Sequence, residues 1–370
     1  MEKVSPIELD FEEYIRHTEA DKKEKTYAWS TAIGLQKVDG LTPSKYLFET
    51  AKRNIEGDIS IEEASKLIDT YYESKTERTE SDDERVEEAD KVSSRIAQIL
   101  SEKSFTFSPS FLISIHKRLF EGIFTFAGKI RDYDISKNEW VLNGDTVMYG
   151  AAFELKAALD YDFEQERSFN YKNLSMEQIV KHITFFVSRL WQIHAFGEGN
   201  TRTTAVFTIK YLRSLGFSAD NDIFTENSWY FRNALVRANY TNLQKDIAEN
   251  PEYLEKFFRN LLMGEHNELK NRYMHVNYRK QVEKSSEEKP ESSEEIVKSS
   301  EQKQKSSDKI LEILKANPDI TAKEIAERIA ISPRAVEKQI AALKQKGLVE
   351  HTGSTKSGTW IVKDKGENDK

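Results

Sequence analysis

Between Met176 and Trp191 the apolar side chains Ile179, Ile183, Phe186, Val187 and Leu190 fall at i, i+4, i+7, i+8 and i+11. That period places them on one face of a helix, so a buried amphipathic helix is predicted up to Ile193. A second helix is predicted to start near Thr201 to Thr203 and to run through Val206, Ile209 and Leu212 to a stop at Gly216. Upstream, Tyr46 to Glu73 shows two helical patterns around the breaker Glu56-Gly57-Asp58, and Ser60 and Glu63 are spaced as a capping box for the second. Lys91 to Leu100 and the stretch SFLISIHKRLFEGIF after Pro109 are helical in period as well. The texture changes from Asn138 to Gly150, where two short runs rich in Val, Trp and Tyr flank Asn143-Gly144, a hairpin turn signal. The pattern up to residue 282 is therefore mainly α with one β-hairpin.

From Glu283 to Asp308 the chain is Ser, Glu and Lys with almost no large apolar side chain. Such a segment buries too little surface to offset its ordering entropy and reads as a flexible linker. Beyond it, KILEILKAN and TAKEIAERIA read as helices, Ile331-Ser332-Pro333 as a turn, RAVEKQIAALKQKG as a third helix and LVEHTGSTKSGTWIV as a short ribbon. The expected organisation is an N-terminal helical region over 1–103, a core with trailing helices over 104–282, the linker over 283–308 and a small domain over 309–365.

Composition narrows the classes of function. At 370 residues and 38% apolar content, the chain can bury one sizeable core and a satellite. The absence of cysteine excludes a disulfide framework, a thiolate metal site and a cysteine nucleophile. The charged start MEKVSPIELDFEEY does not resemble a signal peptide, and no apolar run reaches spanning length. A cytoplasmic protein with no membrane partner is expected, and a homodimer is compatible with the sequence. A net charge of -8 argues against polyanion binding by the whole chain, while Lys and Arg outnumber Asp and Glu between 309 and 365.

The candidate chemistry sits in IHAFGEGNTRTTAVF, Ile193 to Phe207. A helix delivers His194, a turn of Gly197-Glu198-Gly199-Asn200 follows, and a new helix begins. A helix N-terminus presents unpaired N–H groups and the positive end of the macrodipole, and glycines let the backbone approach closely, so the arrangement favours phosphate. Arg202 adds a guanidinium matched to phosphate oxygens. Glu198 suits a Mg2+ ion bridging those oxygens, and Asn200 can donate to them. His194 can accept the proton of a hydroxyl that attacks phosphorus. The set describes phosphoryl or nucleotidyl transfer.

The run His194-Ala195-Phe196-Gly197-Glu198-Gly199-Asn200-Thr201-Arg202 resembles the signature loop of Fic-domain proteins, HxFx(D/E)GNxRxxR, over a region from roughly Ser104 to Met263. The resemblance implies a Fic-type helical core with a β-hairpin flap, and transfer of AMP from ATP to a hydroxyl side chain of a protein. Carried over by position, it makes His194 the general base, Glu198 the Mg2+ ligand, Gly197, Gly199, Asn200 and Thr201 the nucleotide loop, Arg202 the phosphate clamp and Phe196 an anchor of the loop. The chain departs from the pattern at Thr201, where a second Gly is usual, and at Ala205, where the family has a second Arg that helps hold the terminal phosphate. The alternatives are transfer of another nucleotide or phosphate-containing group, and a DNA-binding regulator with a nucleotide-sensing or inactive core.

The hairpin over 138–150 resembles the family's flap, which pairs with an extended target segment; its other reading is an ordinary packed hairpin. Tyr230-Phe231 and Ala234-Leu235 lie where the family has aromatics near the base, which makes Tyr230 a nucleotide-binding candidate against core packing, while Arg232 and Arg237 read as surface or cleft charges. Glu56-Gly57 resembles the end of the family's inhibitory motif, with Lys52 where Ser or Thr is usual; Glu56 is either an inhibitor acting through Arg202 or part of a helix end. The tail resembles a winged helix-turn-helix domain. That likeness implies DNA or protein binding through the helix Pro333 to Lys346, with Arg334 and Lys338 facing DNA and Thr355, Lys356 and Thr359 on the wing.

Overall fold

A computed structural model describes residues 20–74, 81–219, 222–278 and, with gaps, 310–362. The chain divides into two compact units, Met1–Ser285 and Ser286–Lys370. Among the described residues of the first, ten helices follow one another: α1 (Ala20–Gly34), α2 (Lys45–Glu56), α3 (Ile61–Glu73), α4 (Ser81–Ser101), α5 (Pro109–Phe120), α6 (Leu155–Ser168), α7 (Met176–Ile193), α8 (Asn200–Ser214), α9 (Ile223–Ala238) and α10 (Glu252–Met263).

Local chemistry sets their ends. Ser60 and Glu63 form the reciprocal capping box of α3, and Ser175 with Gln178 does the same for α7. Ser108 caps α5, with Pro109 at its first position. Gly57 closes α2 in the left-handed region at φ 90°, its N–H returning to the carbonyls of the last turn. The apolar face of α7 is buried at Val180, Ile183, Phe186, Val187 and Leu190, close to the predicted set.

The second predicted helix, α8, begins at Asn200 rather than at Thr201 to Thr203. Every residue from Asn200 to Leu212 is buried, so α8 is the central helix of the unit, wrapped by α4, α5 and α7. Its polar residues must then find partners inside the protein. The runs around Asn143-Gly144 form a short hairpin: the Glu139 N–H donates to the Asp145 carbonyl (2.9 Å) and the Lys137 N–H to Thr146 Oγ1 (3.1 Å). Asn143 and Gly144 have φ of 58° and 87°, the left-handed pair that a type I′ turn requires. A 3-10 turn at Trp140–Leu142 precedes the tip, and the pairing is too short to count as a regular strand.

The second unit is built on Ile310, Leu314, Ile320, Ile325, Val336, Ile340, Leu343 and Val349. Within it lie α11 (Ala322–Ile329) and the antiparallel strands β1 (Val349–Ser354) and β2 (Ser357–Val362), paired from Val349 with Val362 to Ser354 with Ser357. The Trp360 indole donates to the Ile320 carbonyl (3.1 Å) and ties the ribbon to the helices. Arg334, Lys338, Thr355 and Lys356, the candidate DNA contacts, and the linker 283–308 lie outside the described residues. Among the described residues no helix is long and apolar enough to cross a membrane.

Candidate active site

His194 ends α7 in the left-handed region (φ 50°, ψ 55°), which a residue with a Cβ adopts only when its surroundings hold it there. Arg131 does the holding. Its Nε donates to the His194 carbonyl (2.8 Å), and the rest of the guanidinium donates to the carbonyls of Tyr133 and Gly150, while the Arg131 N–H donates to the Ala195 carbonyl (2.9 Å). The chain leaving α7 is thus turned by one buried cation. The imidazole is 3% exposed, lies against the Tyr149 ring (centroids 4.2 Å apart) and meets the Trp191 ring edge-on. Among the described residues neither ring nitrogen has a hydrogen-bond partner. Burial, then the nearby Lys137, hold its pKa well below the usual histidine value, so the ring is neutral and both lone-pair and N–H positions are unspent.

The loop after His194 is fixed from inside. Asn200 accepts from the Phe196 N–H (3.0 Å) and donates to the Phe196 carbonyl (2.7 Å), so its side chain staples the loop. Phe196 stacks on His116 with centroids 3.8 Å apart. The Gly128 N–H donates to His116 Nδ1 (2.9 Å), which fixes the proton on Nε2, and Nε2 donates to the Glu198 carbonyl (3.0 Å). Burial lowers the His116 pKa to about 4, so this bracing ring is neutral. Gly199 has φ 75°, and a Cβ there would stand 2.4 Å from the Phe120 ring; at Gly197 it would stand 2.6 Å from the Tyr133 hydroxyl. The Thr201 hydroxyl accepts from the Trp191 indole (3.0 Å), so Thr201 joins α7 to α8 and is not a cap.

Arg202, expected to be an open clamp, is 0% exposed. Its guanidinium meets Asp39 (2.8 Å) and Glu88 (2.6 Å), donates to Gln36 Oε1 (3.1 Å) and lies over the Phe120 ring. Glu88 comes from α4 and Asp39 from the 3-10 turn Leu35–Asp39 that follows α1. Arg202 therefore ties the N-terminal helices to the loop. Ala205, one turn on, is buried in the core.

The cations facing the loop come from elsewhere. Lys137 Nζ stands 3.0 Å from each oxygen of Glu198. Arg232, on α9, grips the fully buried Glu139 with both amino groups (2.6 and 3.1 Å), and Glu139 also accepts from the Tyr149 hydroxyl (3.1 Å). A pocket of about 610 Å3 opens beside Glu198 and Arg202, walled by Lys37, Arg85, Phe124, Trp229 and Arg232. Its size suits a nucleotide-sized ligand.

A Mg2+ ion shared with substrate phosphates needs only one or two protein carboxylates, and Glu198, 44% exposed and paired with Lys137, can supply one by parting from that ammonium. Asp39 and Glu88 are spent on Arg202, and no group of three or more His, Asp or Glu that could hold a metal by itself occurs among the described residues.

Tyr230 and Glu56, each with two readings open from sequence, have the following surroundings. Tyr230 is 1% exposed and donates its hydroxyl to the Tyr253 carbonyl (3.1 Å), so it is a core side chain with no face for a base; the aromatics on the pocket are Phe124 and Trp229. The carboxylates on Arg202 are Asp39 and Glu88, whereas Glu56 sits at the C-terminal end of α2 beside Lys52 (3.7 Å). Arg131, Lys137, His116 and Glu139 were not singled out from sequence, because each acts on a partner far along the chain.

A family model described as Fic/DOC family matches residues 106–212, the stretch that carries the hairpin, α7, the loop and most of α8. Residues 106–212 are a Fic/DOC domain. A second model, winged helix-turn-helix DNA-binding, matches residues 307–350, so the Fic domain is followed by a winged helix. No curated protein matches the chain. Solved structures similar to it include a Fic family protein from Desulfovibrio desulfuricans G20 (11% identity, 96% of this chain and 91% of that one, TM-score 0.41). Others are the N-terminal FIC domain of the VirB-translocated effector Bep8 from Bartonella sp. 1-1C (22% identity, 51% and 88%, TM-score 0.40) and BepC with bound AMPPNP from Bartonella tribocorum (20% identity, 42% and 74%, TM-score 0.33).

Proposed function

We propose that the Fic domain transfers AMP from ATP to a hydroxyl side chain of a target protein, with His194 as the general base. The observation that carries the reading is the neutral, buried His194 ring with two unpartnered nitrogens, set at the entrance to a glycine loop and the N-terminus of α8. In the reaction His194 takes the proton from the target hydroxyl as its oxygen attacks the α-phosphorus. The bond to the bridging oxygen breaks, and pyrophosphate leaves. The N-terminus of α8 faces the developing negative charge. Glu198, on parting from Lys137, would hold a divalent ion, which would offset the charge of the phosphate oxygens.

The ring is covered by Tyr149, so the target must displace that side chain to reach it. Tyr149 closes the 138–150 hairpin, and Met148 beside it is 85% exposed, which supports an extended target segment lying along this edge. The test is incubation of lysate with labelled nucleotides, wild type against His194→Ala. Label confined to wild type, with ATP the preferred donor, supports the reading, and equal labelling contradicts it. Ala205 and the saturated Arg202 favour a second reading, in which another nucleotide or phosphate-containing donor is used; that donor would outcompete ATP in the same assay.

A further inference from the structure

A second pocket, of about 310 Å3, opens between α6 and α7, and none of its groups enters the proposed reaction. Asp162 and Glu166 stand one turn apart on α6 and both are buried. Glu166 is satisfied, since it accepts from the hydroxyls of Tyr171 and Tyr211 and pairs with His182 Nε2 (2.6 Å). Asp162 is not. Its Oδ1 accepts from Arg189, on α7, at 3.3 and 3.4 Å, long for a carboxylate–guanidinium pair, and its Oδ2 has no hydrogen-bond partner among the described residues. The Asp162 side chain is 7% exposed, so an acceptor is held away from water with no donor, which is costly. Burial outweighs Arg189 and raises the Asp162 pKa, as befits an under-compensated carboxylate. Arg189 itself is half exposed and lies over the Phe185 ring, 5.5 Å from its centroid, rather than closing on Asp162. Tyr161, Phe169 and Phe185 wall the pocket, and Tyr161 and Phe185 are more than half exposed, so their faces are open to a ligand.

We propose that this pocket binds a primary alkylammonium group, carried by a free amine or by a lysine side chain, with the ammonium donating to Asp162 Oδ2 and the alkyl stem lying on Tyr161 and Phe185. Arg189 keeps the Oδ1 side, so one acceptor oxygen remains, which suits a compact group with three N–H donors better than a second forked guanidinium. A quaternary ammonium has no N–H to give that oxygen. The aromatic faces add cation–π attraction to the ion pair. Arg189, half exposed and held by long bonds, swings outward to admit the ligand. The volume takes a four-carbon stem and is about half that of the pocket beside Glu198 and Arg202. The proposal is independent of the nucleotide reading.

The test is saturation-transfer NMR on the full chain at fixed pH and salt, with butylamine as the probe against butanol, which lacks the charge, and tetramethylammonium, which lacks the N–H. Wild type is expected to bind butylamine at least about tenfold more tightly than either comparison compound, the usual scale for a charge-assisted bond. Asp162→Asn, which keeps the shape and removes the charge, should lose at least about tenfold in butylamine affinity. Phe185 is 61% exposed, so Phe185→Ala keeps the fold and should weaken butylamine about threefold through the lost cation–π contact. Should Asp162→Asn fail to fold in thermal melting, Phe185→Ala and the comparison compounds decide the matter. Nα-acetyl-lysine methylamide binding as tightly as butylamine would support the proposal with a lysine side chain as the natural ligand; binding by butylamine alone would support it with a free amine. No saturation transfer to butylamine, tetramethylammonium binding as tight as butylamine, or butylamine affinity unchanged in the folded variants would overturn the proposal.

Discussion

Arg131 fixes the conformation of His194: its Nε donates to the His194 carbonyl at 2.8 Å while the same guanidinium holds the carbonyls of Tyr133 and Gly150. Arg131 touches no reacting atom in the proposed mechanism. It positions the base by keeping the end of α7 in a left-handed turn. Arg131→Met should lower kcat on the order of 100-fold with a smaller change in KM, because a base displaced by about an ångström loses that much. Steady-state kinetics with labelled ATP measures the split. A change in KM alone would assign Arg131 to substrate binding.

Arg202 gives the second prediction. A buried cation shared by Asp39 and Glu88 is a strut between the N-terminal helices and the loop. Removing one partner of such a cluster leaves uncompensated buried charge, so Arg202→Ala should cost about 3 kcal/mol of stability, read from urea unfolding. An open phosphate clamp would leave the unfolding midpoint unchanged and lower only nucleotide affinity.

How much of this could be read in advance depends on where each contact lies. The face of α7, the capping box of Ser60 and Glu63 and the Asn143-Gly144 turn are local, and periodicity or turn chemistry reports them directly. His194, Glu198 and Arg202 were legible as a cluster because they are close in sequence. The partners that decide what they do were not. Lys137 is 61 residues from Glu198, His116 is 82 from the carbonyl it braces, and Glu88 is 114 from Arg202. Tyr230 kept two readings for a related reason, since a helical period does not say whether an aromatic faces a ligand pocket or the core.

His116 and His194 set an acid limit. Both have folded-state pKa values pushed below the usual 6.5 by burial, His116 to about 4. Below pH 6.5 the unfolded chain binds protons that the folded chain refuses, so stability falls as pH drops from 6.5 and is full above it. For His116 alone the loss approaches about 3 kcal/mol by pH 4. Melting curves against pH should show this slope, and His116→Gln, which keeps a donor for the Glu198 carbonyl, should flatten it. An unchanged slope would mean that His116 is protonated in the folded state.

The winged helix carries a separate expectation. If residues 307–350 bind duplex DNA, as the matching family model suggests, gel retardation by the full chain should weaken steeply between about 50 and 200 mM salt, because phosphate contacts release counterions. Retardation that is flat with salt, or absent, would favour a protein partner for this unit.

The central claim is nucleotidyl transfer with His194 as base. It is tested most directly by incubating the purified chain and a lysate acceptor with ATP labelled at either the α- or the γ-phosphate. Label from the α position should appear on protein with wild type and vanish with His194→Ala, while label from the γ position should not exceed that of the lysate alone. Protein label from the γ position above the lysate alone, or α label that survives His194→Ala, would contradict it.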